Sequence, residues 1–311
     1  MPLTVSPRRF VTIARAALGS LVAIVVTGSL VRLTGSGLGC DDWPACNERK
    51  FVDVTTGHAA IEQVNRLFTG VVAAAVIVAV LASFFVIPRR RVVRWLAAGQ
   101  VVGVAAQVVI GGIVVLTGLN PWSNMVHFLV SVVLVTLGVL LVDEVRDARP
   151  DGSVGTTTSR LALGACLMAA VAMVLGTVVT ATGPHAGDAD APRFELDLGS
   201  VVRLHSASVL ACLVLLALLS LRLTRSPDER RVLGGPVQAM LSIGLLQGFV
   251  GYLQYFAGVP ALLVAVHIAL SMAFWMAVVR TARFALIAAR RPSPSGLGSH
   301  DRDLRRVAAP R

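Results

Sequence analysis

Charged residues are scarce in this chain. They make up 14% of its 311 residues, and 55% of the residues are hydrophobic. Soluble globular domains carry about 25% charged residues. The shortage of charge therefore excludes an ordinary soluble domain, and the apolar segments decide the class.

Eight apolar segments are each about 20 residues long or longer, which is enough to cross a hydrocarbon core of about 30 Å. The sequence therefore predicts an all-α, polytopic membrane protein with eight transmembrane helices. The segments lie near residues 10–33, 60–87, 93–117, 122–142, 159–182, 200–221, 233–257 and 260–289.

The formal net charge is +11. A strongly positive charge is common in nucleic-acid-binding proteins, but the distribution of the basic residues along this chain argues against that class. With eight spans, 22 of the 28 Lys and Arg residues fall on the side of the two termini, whereas the acidic residues divide almost evenly. Basic loops stay on the cytoplasmic side and face anionic lipid. We therefore expect both termini in the cytoplasm and no nucleic-acid partner. The first span has no small-residue cleavage site typical of a signal peptide, which favours a multi-pass protein of a bacterial plasma membrane.

The chain has only four cysteines. Cys40 and Cys46 lie in the first outer loop, in the segment GCDDWPACN, where thiols oxidise and persist as disulfides. We predict a disulfide between them; the alternatives are two free thiols or a metal pair, although no further Cys or His lies beside them. Cys166 and Cys212 lie inside apolar spans and are predicted packing residues.

One pattern occurs twice, at a spacing of 140 residues. A shift of 140 residues also aligns Asn65 with His205 in the sequence. The sequence thus predicts a parallel tandem repeat of two four-helix bundles, residues 1–145 and 158–290, followed by a disordered cytoplasmic tail at 291–311. The identical pairs are Gln107 and Gln247, Gly111 and Gly251, Gly118 and Gly258, and His127 and His267.

Three of the six histidines, His127, His205 and His267, lie inside apolar spans near the predicted outer face. A polar side chain in lipid is costly and needs a partner or a function. Two imidazoles facing each other across a helix bundle are typical of heme ligation. The alternatives are histidines bonded to backbone carbonyls, or a zinc site built from three or four of them. No CxxCH motif occurs, so that route to covalent heme attachment is excluded.

The segment GHAAIEQVNRLFTG places an acid beside one of these positions. His58 and Asn65 lie within about 20° of each other on a helix, with Glu62 close to the same stripe. Glu62 is the only acid expected inside a span; its alternative role is an i,i+4 ion pair with Arg66. His58 can take the place of a ligand at Asn65 only if the helix extends far enough.

Several further side chains lie near the predicted outer ends of the spans. Arg32, Arg66 and Arg203 are candidates to bind heme propionates, or alternatively snorkel to the interface. Trp43 and Trp122 are predicted interface anchors. His185 is a candidate propionate or metal contact, although a loop histidine is more often simply solvated.

Taken together, these features resemble the heme A synthase family over nearly the whole chain. The matching segments are TGSGLGCDDWPAC, AAIEQVNRLFTG, QVVIGGIVVLTGLNPW with a following VH, TGPHAGD, VVRLHSA and LLVAVHIALS. The resemblance implies that His205 and His267 hold heme b and that His127 binds the substrate, heme O. It also implies that Glu62 acts near the reacting edge while the C8 methyl group is oxidised to a formyl group, giving heme A. The family's outer cysteine pair corresponds to Cys40 and Cys46.

One position departs from the family pattern. Many members carry Glu-x-x-His in the second span, whereas this chain has Glu62-x-x-Asn65, as in an actinobacterial-like variant. Three outcomes are open: His58 replaces the missing ligand, which we slightly favour, Asn65 holds a water molecule, or His127 binds alone.

The resemblance also implies partners. Expected ones are heme O synthase, assembly factors of terminal oxidases, membrane lipid and an unidentified redox partner. The competing functions are a di-heme b-type electron-transfer protein, with sites stacked toward both membrane faces, and a transporter with helices interrupted at the midplane.

Overall fold

The computed structural model describes residues 4–291, and in that range the chain is all-helical with no strand. Apart from Arg291, the predicted tail at 291–311, which includes His300, lies outside the described residues. The helices are α1 (Pro7–Leu33), α2 (Gly57–Ser83), α3 (Arg91–Leu116), α4 (Pro121–Val145), α5 (Thr156–Thr182), α6 (Leu198–Thr224), α7 (Pro227–Phe256) and α8 (Ala261–Ala289).

These helices are apolar and long enough to cross a membrane. Each contains an 18-residue window with a mean hydropathy between 1.3 and 2.7, and each is 25 to 30 residues long. At about 1.5 Å per residue, every helix exceeds the roughly 30 Å of a hydrocarbon core. The predicted class is confirmed: the chain is a multi-pass membrane protein with eight spans in its described part.

Three of the even-numbered helices, α2, α4 and α6, begin at a residue whose side chain caps the helix. The side chain of Thr56 accepts a hydrogen bond from the Ala59 N–H at the start of α2, and Asp197 caps α6 through the Ser200 N–H. Pro121 follows the capping Asn120 at the start of α4. Such caps satisfy N–H groups that the first helical turn leaves unpaired. They fix how far each side chain lies from the helix end.

The eight helices pack as two groups of four. In the first group α1 contacts α2, α2 contacts α3, α3 contacts α4, and α4 closes the ring on α1. Helices α5 to α8 close a second ring in the same order. Helices α2 and α4 are thus diagonal partners in one bundle, as α6 and α8 are in the other.

Matching contacts recur at the 140-residue spacing. Gln107 Nε2 donates to the backbone oxygen of His127 at 2.9 Å, and Gln247 Nε2 donates to that of His267 at 3.0 Å. These paired contacts support the tandem repeat, which remains a proposal. Two loop residues with left-handed backbone have the same spacing, Leu119 (φ 61°) and Val259 (φ 60°).

The two bundles meet at a seam where α8 packs against both α1 and α4, with a smaller contact of α4 against α5. The expectation that Glu62 is the only acid inside a span is wrong, because α4 continues to Val145 and includes Asp143 and Glu144. Both acids pair with arginines of α8, which explains their place within a helix. The side-chain contacts between α4 and α8 include Trp275 Nε1 to Thr136 Oγ1 at 2.9 Å, Arg280 to Asp143 at 3.1 Å, and Arg283 to Glu144 at 2.9 Å.

The tightly packed apolar core lies away from the predicted ligand positions. In the second bundle the buried cluster on α6 begins at Cys212, seven residues further along the helix than His205. In the first bundle the buried cluster on α2 begins at Val72, seven residues beyond Asn65. The largest apolar clusters therefore lie toward the ends of the bundles that carry the termini, and smaller buried clusters around Leu119 and around the Cys40–Cys46 pair lie at the opposite end.

Candidate functional site

Four side chains at corresponding depths define a candidate site in each bundle. Asn65 on α2 and His127 on α4 belong to the first bundle, and His205 on α6 and His267 on α8 to the second. Counted from the helix starts, they lie about 9 to 12 Å along the axes at about 1.5 Å per residue. Each pair comes from diagonal helices, so two side chains approach the centre of a four-helix ring from opposite sides.

A glycine on the preceding helix lies against each of these side chains. A Cβ on Gly176 would be 3.3 Å from Cε1 of His205, and one on Gly251 would be 3.1 Å from Cε1 of His267. In the first bundle Gly111 has the same relation to His127, at 3.4 Å, and Gly28 to Asn65 Nδ2, at 3.8 Å. The missing side chains let each imidazole lie close to its neighbouring helix. Sequence comparison at a 140-residue shift missed Gly28 and Gly176, because these two glycines are 148 residues apart.

The ring nitrogens have few protein partners. His205 Nδ1 bonds to the carbonyl of Ala172 at 2.9 Å, which orients the ring and leaves Nε2 free of hydrogen bonds to described residues. Among the described residues, the buried Nδ1 atoms of His127 and His267 have no hydrogen-bond partner, and neither does the buried Oδ1 of Asn65. Buried polar atoms without partners are uncommon and call for an explanation such as an absent ligand.

These observations fit a heme better than a zinc ion. No group of three His, Cys, Asp or Glu side chains within residues 4–291 comes together in a way that could hold a metal ion, so the zinc alternative is not supported. Heme iron needs only one or two axial side chains. In the second bundle, two histidines from diagonal helices, each with a glycine beside its ring, suit a porphyrin.

The outer loop is closed by the predicted disulfide between Cys40 and Cys46. Within this loop the ring of Trp43 lies against Gly112 of α3, where a Cβ would be only 2.7 Å from the ring. Trp43 therefore packs on the first bundle and is half-buried, instead of lying free at the interface. Trp122, by contrast, is 66% exposed.

Glu62 and Arg66 attach this loop to α2. Glu62 is 5% exposed; one carboxylate oxygen accepts from the Cys40 N–H at 2.8 Å and the other from Arg66 at 2.7 and 3.0 Å. The Arg66 guanidinium also donates to the backbone oxygens of Asp42 and Ala45. The i,i+4 ion pair considered for Glu62 is therefore present, and both residues hold the disulfide loop against the first bundle.

His58 lies at the start of α2, well away from Asn65. It is exposed, and its Nδ1 bonds to the hydroxyl of the fully buried Ser36 at 2.9 Å. Gly39 packs on the His58 backbone so closely that a Cβ there would overlap its carbonyl. The helix does extend to His58, but the residue is fixed two turns outward of Asn65.

The remaining predicted polar residues lie around the same end of the molecule. Arg203 is largely exposed and pairs with Asp197 at 3.6 Å, and hydrogen bonds from the Ser200 hydroxyl and backbone hold the pKa of Asp197 below its usual value. Arg32 donates to the carbonyl of Thr180 at 2.7 Å, linking α1 to α5. His185 contacts the backbone oxygen of Val259, so it is engaged with the protein.

Sequence comparisons identify the family. The family described as COX15-CtaA, cytochrome oxidase assembly protein, matches residues 11–187, which is more than half of the chain. The chain belongs to this cytochrome oxidase assembly family. The matched region includes Glu62, Asn65 and His127, together with the disulfide loop, and it extends through α5.

Individual members of the cytochrome oxidase assembly family give consistent similarities. A heme A synthase of Listeria welshimeri is 33% identical over 138 residues, covering 42% of this chain and 45% of the relative. Heme A synthases of Geobacillus thermodenitrificans and Lysinibacillus sphaericus are 30% and 33% identical, over 40% and 43% of this chain and 42% and 46% of their own lengths. The alignments thus span less than half the length of these relatives.

Proposed function

We propose that this chain is a heme A synthase, an oxidoreductase that converts the C8 methyl group of heme O to a formyl group. The observation that carries the proposal is the pair of sites at equal depth: one with two diagonal histidines and one with a histidine, an asparagine and a buried carboxylate. The family match and the relatives named heme A synthase support the same assignment.

In this proposal the second bundle, residues 158–290, holds heme b through His205 and His267. When bound, that heme supplies electron transfer. The His205 ring is oriented by its hydrogen bond to the Ala172 carbonyl. The backbone oxygen of His267 accepts a hydrogen bond from the Gln247 side chain. Gly176 and Gly251 leave room for both rings beside their neighbouring helices.

The first bundle, residues 1–145, then binds the substrate heme O through His127. Glu62 lies three residues before Asn65 on the same helix, and its carboxyl group is buried beside the site and paired with Arg66. A fixed charge in a dry site acts strongly on charge that develops during a reaction, and a carboxylate can also accept a proton. Arg203 and Arg66 are the proposed propionate contacts; most Arg66 donors are already bonded to the loop.

The charge distribution supports a bacterial plasma membrane location with both termini in the cytoplasm and both sites toward the outer face. Heme O synthase, oxidase assembly factors and a redox partner are the proposed partners. A di-heme carrier working across the membrane is less well supported, since it needs sites toward both faces and the four positions here share one depth.

The test is a Glu62→Gln variant, expressed in cells that supply heme O. We expect it to retain heme b and to accumulate heme O, with heme A formation falling by at least about tenfold, as for loss of a charge worth over 1.4 kcal/mol in a transition state. Hemes are measured by extraction and chromatography. Normal heme A formation in this variant would remove Glu62 from the reaction.

A matched variant separates chemistry from loop attachment. Arg66→Ala also breaks the ion pair but leaves the carboxylate in place. Arg66→Ala removes more loop contacts than Glu62→Gln, so if Glu62 only anchors the loop, Arg66→Ala should lose at least as much heme A formation; if the Glu62 carboxylate acts in the reaction, Glu62→Gln should lose more. His205→Ala with His267→Ala serves as the reference for loss of heme b.

A further inference from the structure

The two bundles differ at a single ligand position, and this difference has a structural consequence for the substrate site. His205 has an imidazole that is held by Ala172 and free at Nε2. Its counterpart Asn65 carries an amide, whose buried Oδ1 has no partner among the described residues. Side chains that bind heme iron in proteins are His, Cys, Met and Tyr, so Asn65 does not replace the imidazole.

His58 cannot take over this role. It lies seven residues before Asn65, which corresponds to about 10.5 Å along the helix axis. Its Nδ1 is bonded to Ser36 and its backbone is wedged against Gly39, so moving it inward would require unwinding the start of α2 and displacing the disulfide loop. The slight preference for His58 drawn from the sequence is therefore not supported by the geometry.

No other described side chain near Asn65 supplies a ligand. The facing residue on α1 is Gly28. Glu62 and Arg66 are bonded to each other and to the outer loop. Thr69, one turn further along α2, donates its hydroxyl to the Asn65 backbone.

We propose, building on the proposed function, that His127 is the one side chain of the first bundle that would bind the iron of heme O. The Asn65 amide would then hold an exchangeable, water-sized ligand in place of a second side chain. An amide suits this arrangement because it donates through Nδ2 and accepts through Oδ1 without itself binding the iron. The second bundle, with two histidines, has no such open position.

This arrangement divides the two sites by their ligand chemistry. A heme held by two imidazoles stays low-spin and excludes external ligands, which suits electron transfer. A heme held by one imidazole is open to small molecules on its other face. The Asn65 side chain is thus a positioning residue for that small ligand.

The test uses the full-length protein purified with both hemes, reduced and exposed to carbon monoxide, and oxidised for electron paramagnetic resonance. We expect one of the two hemes to bind carbon monoxide and to give a high-spin signal. Asn65→His should abolish carbon monoxide binding and convert that signal to low-spin. Asn65→Leu, which adds no ligand, should keep both properties, and His58→Ala should leave the spectra unchanged.

The outcomes distinguish this inference from the proposed function. If both hemes are extracted but the wild-type protein is fully low-spin and binds no carbon monoxide, the inference is overturned and the proposed function stands. A new high-spin signal in His58→Ala would likewise identify His58 as the ligand and overturn it. If no heme O or heme A is extracted from any preparation, the proposed function fails, and this inference fails with it.

Discussion

Arg66 shows how much of the outer surface depends on a single side chain. Its guanidinium bonds to Glu62 on its own helix and to the backbone oxygens of Cys40, Asp42 and Ala45 in the loop. The planar fork of arginine donates in several directions at once, which the single ammonium group of lysine cannot match. Arg66 therefore makes several of the contacts that hold the loop over the first bundle, alongside the bond from the Cys40 N–H to Glu62 and the packing of Trp43 on α3.

We predict that Arg66→Lys loosens this loop without unfolding the helices. Each lost charged hydrogen bond costs about 1.5–3 kcal/mol, part of which the lysine recovers. Limited proteolysis at residues 47–56 measures the effect, and cleavage should be several-fold faster. Arg49→Lys is the control, since the Arg49 side chain is exposed and has no hydrogen bond within the described range. Equal cleavage rates in the two variants would contradict the prediction.

At this scale the sequence predicted local pairs and missed non-local ones. The Cys40–Cys46 disulfide, predicted from its place in a loop, and the i,i+4 pair of Glu62 with Arg66, considered as the alternative role of Glu62, are both present. The bond from the Cys40 N–H to Glu62 does not follow from spacing, because the direction of a backbone group in an irregular loop depends on the folded structure.

At the scale of helices, a glycine on each odd-numbered helix lies against the side chain at the predicted ligand position on the next helix. Gly251 on α7 and His267 on α8 illustrate this contact. The repeat was recognisable in α7 and α8 because Gln247, Gly251 and His267 each lie 140 residues after an identical residue of the first bundle. The helix bounds were predicted to within a few residues, except that α7 begins at Pro227, six residues before the predicted start, where the Ser226-Pro227 step opens the helix.

We predict that Gly251→Val displaces the His267 ring, because its Cβ alone would lie 3.1 Å from Cε1. Heme b content should fall strongly, as measured by the pyridine hemochrome spectrum per mole of protein. Gly248→Val is the matched control on the same helix: it carries the same change in helix propensity, but no atom lies within 4 Å of its new Cβ. Equal heme loss in both variants would point to the helix and not to the contact.

At the scale of the molecule, the seam between α4 and α8 joins the two bundles. Hydropathy predicted eight spans, yet it could not show which faces meet, since apolar residues cover lipid-facing and protein-facing surfaces alike. The seam acids were also overlooked: Asp143 is 2% exposed and pairs with Arg280 from the other bundle. Such a pair is visible only when both helices are in place.

Removing Arg280 should destabilise the protein more than removing the charge of Asp143. Arg280→Ala leaves a buried carboxylate unpaired, and we expect a loss of about 3 kcal/mol. Asp143→Asn leaves an arginine whose side chain is 43% exposed and can reach water, so the loss should be about 1 kcal/mol. Thermal unfolding in detergent, followed by intrinsic fluorescence, compares the two variants. A double variant more stable than Arg280→Ala alone supports this account; equal single-variant losses contradict it.

The shared depth of the four positions has a consequence for energy coupling. Asn65, His127, His205 and His267 lie within about 3 Å of one another along their helix axes. Moving an elementary charge across the whole bilayer involves about 2.3 kcal/mol per 100 mV of potential. In the proposed function, an electron that passes between two such sites at one level would travel parallel to the membrane plane, so the transmembrane voltage would neither drive nor oppose it.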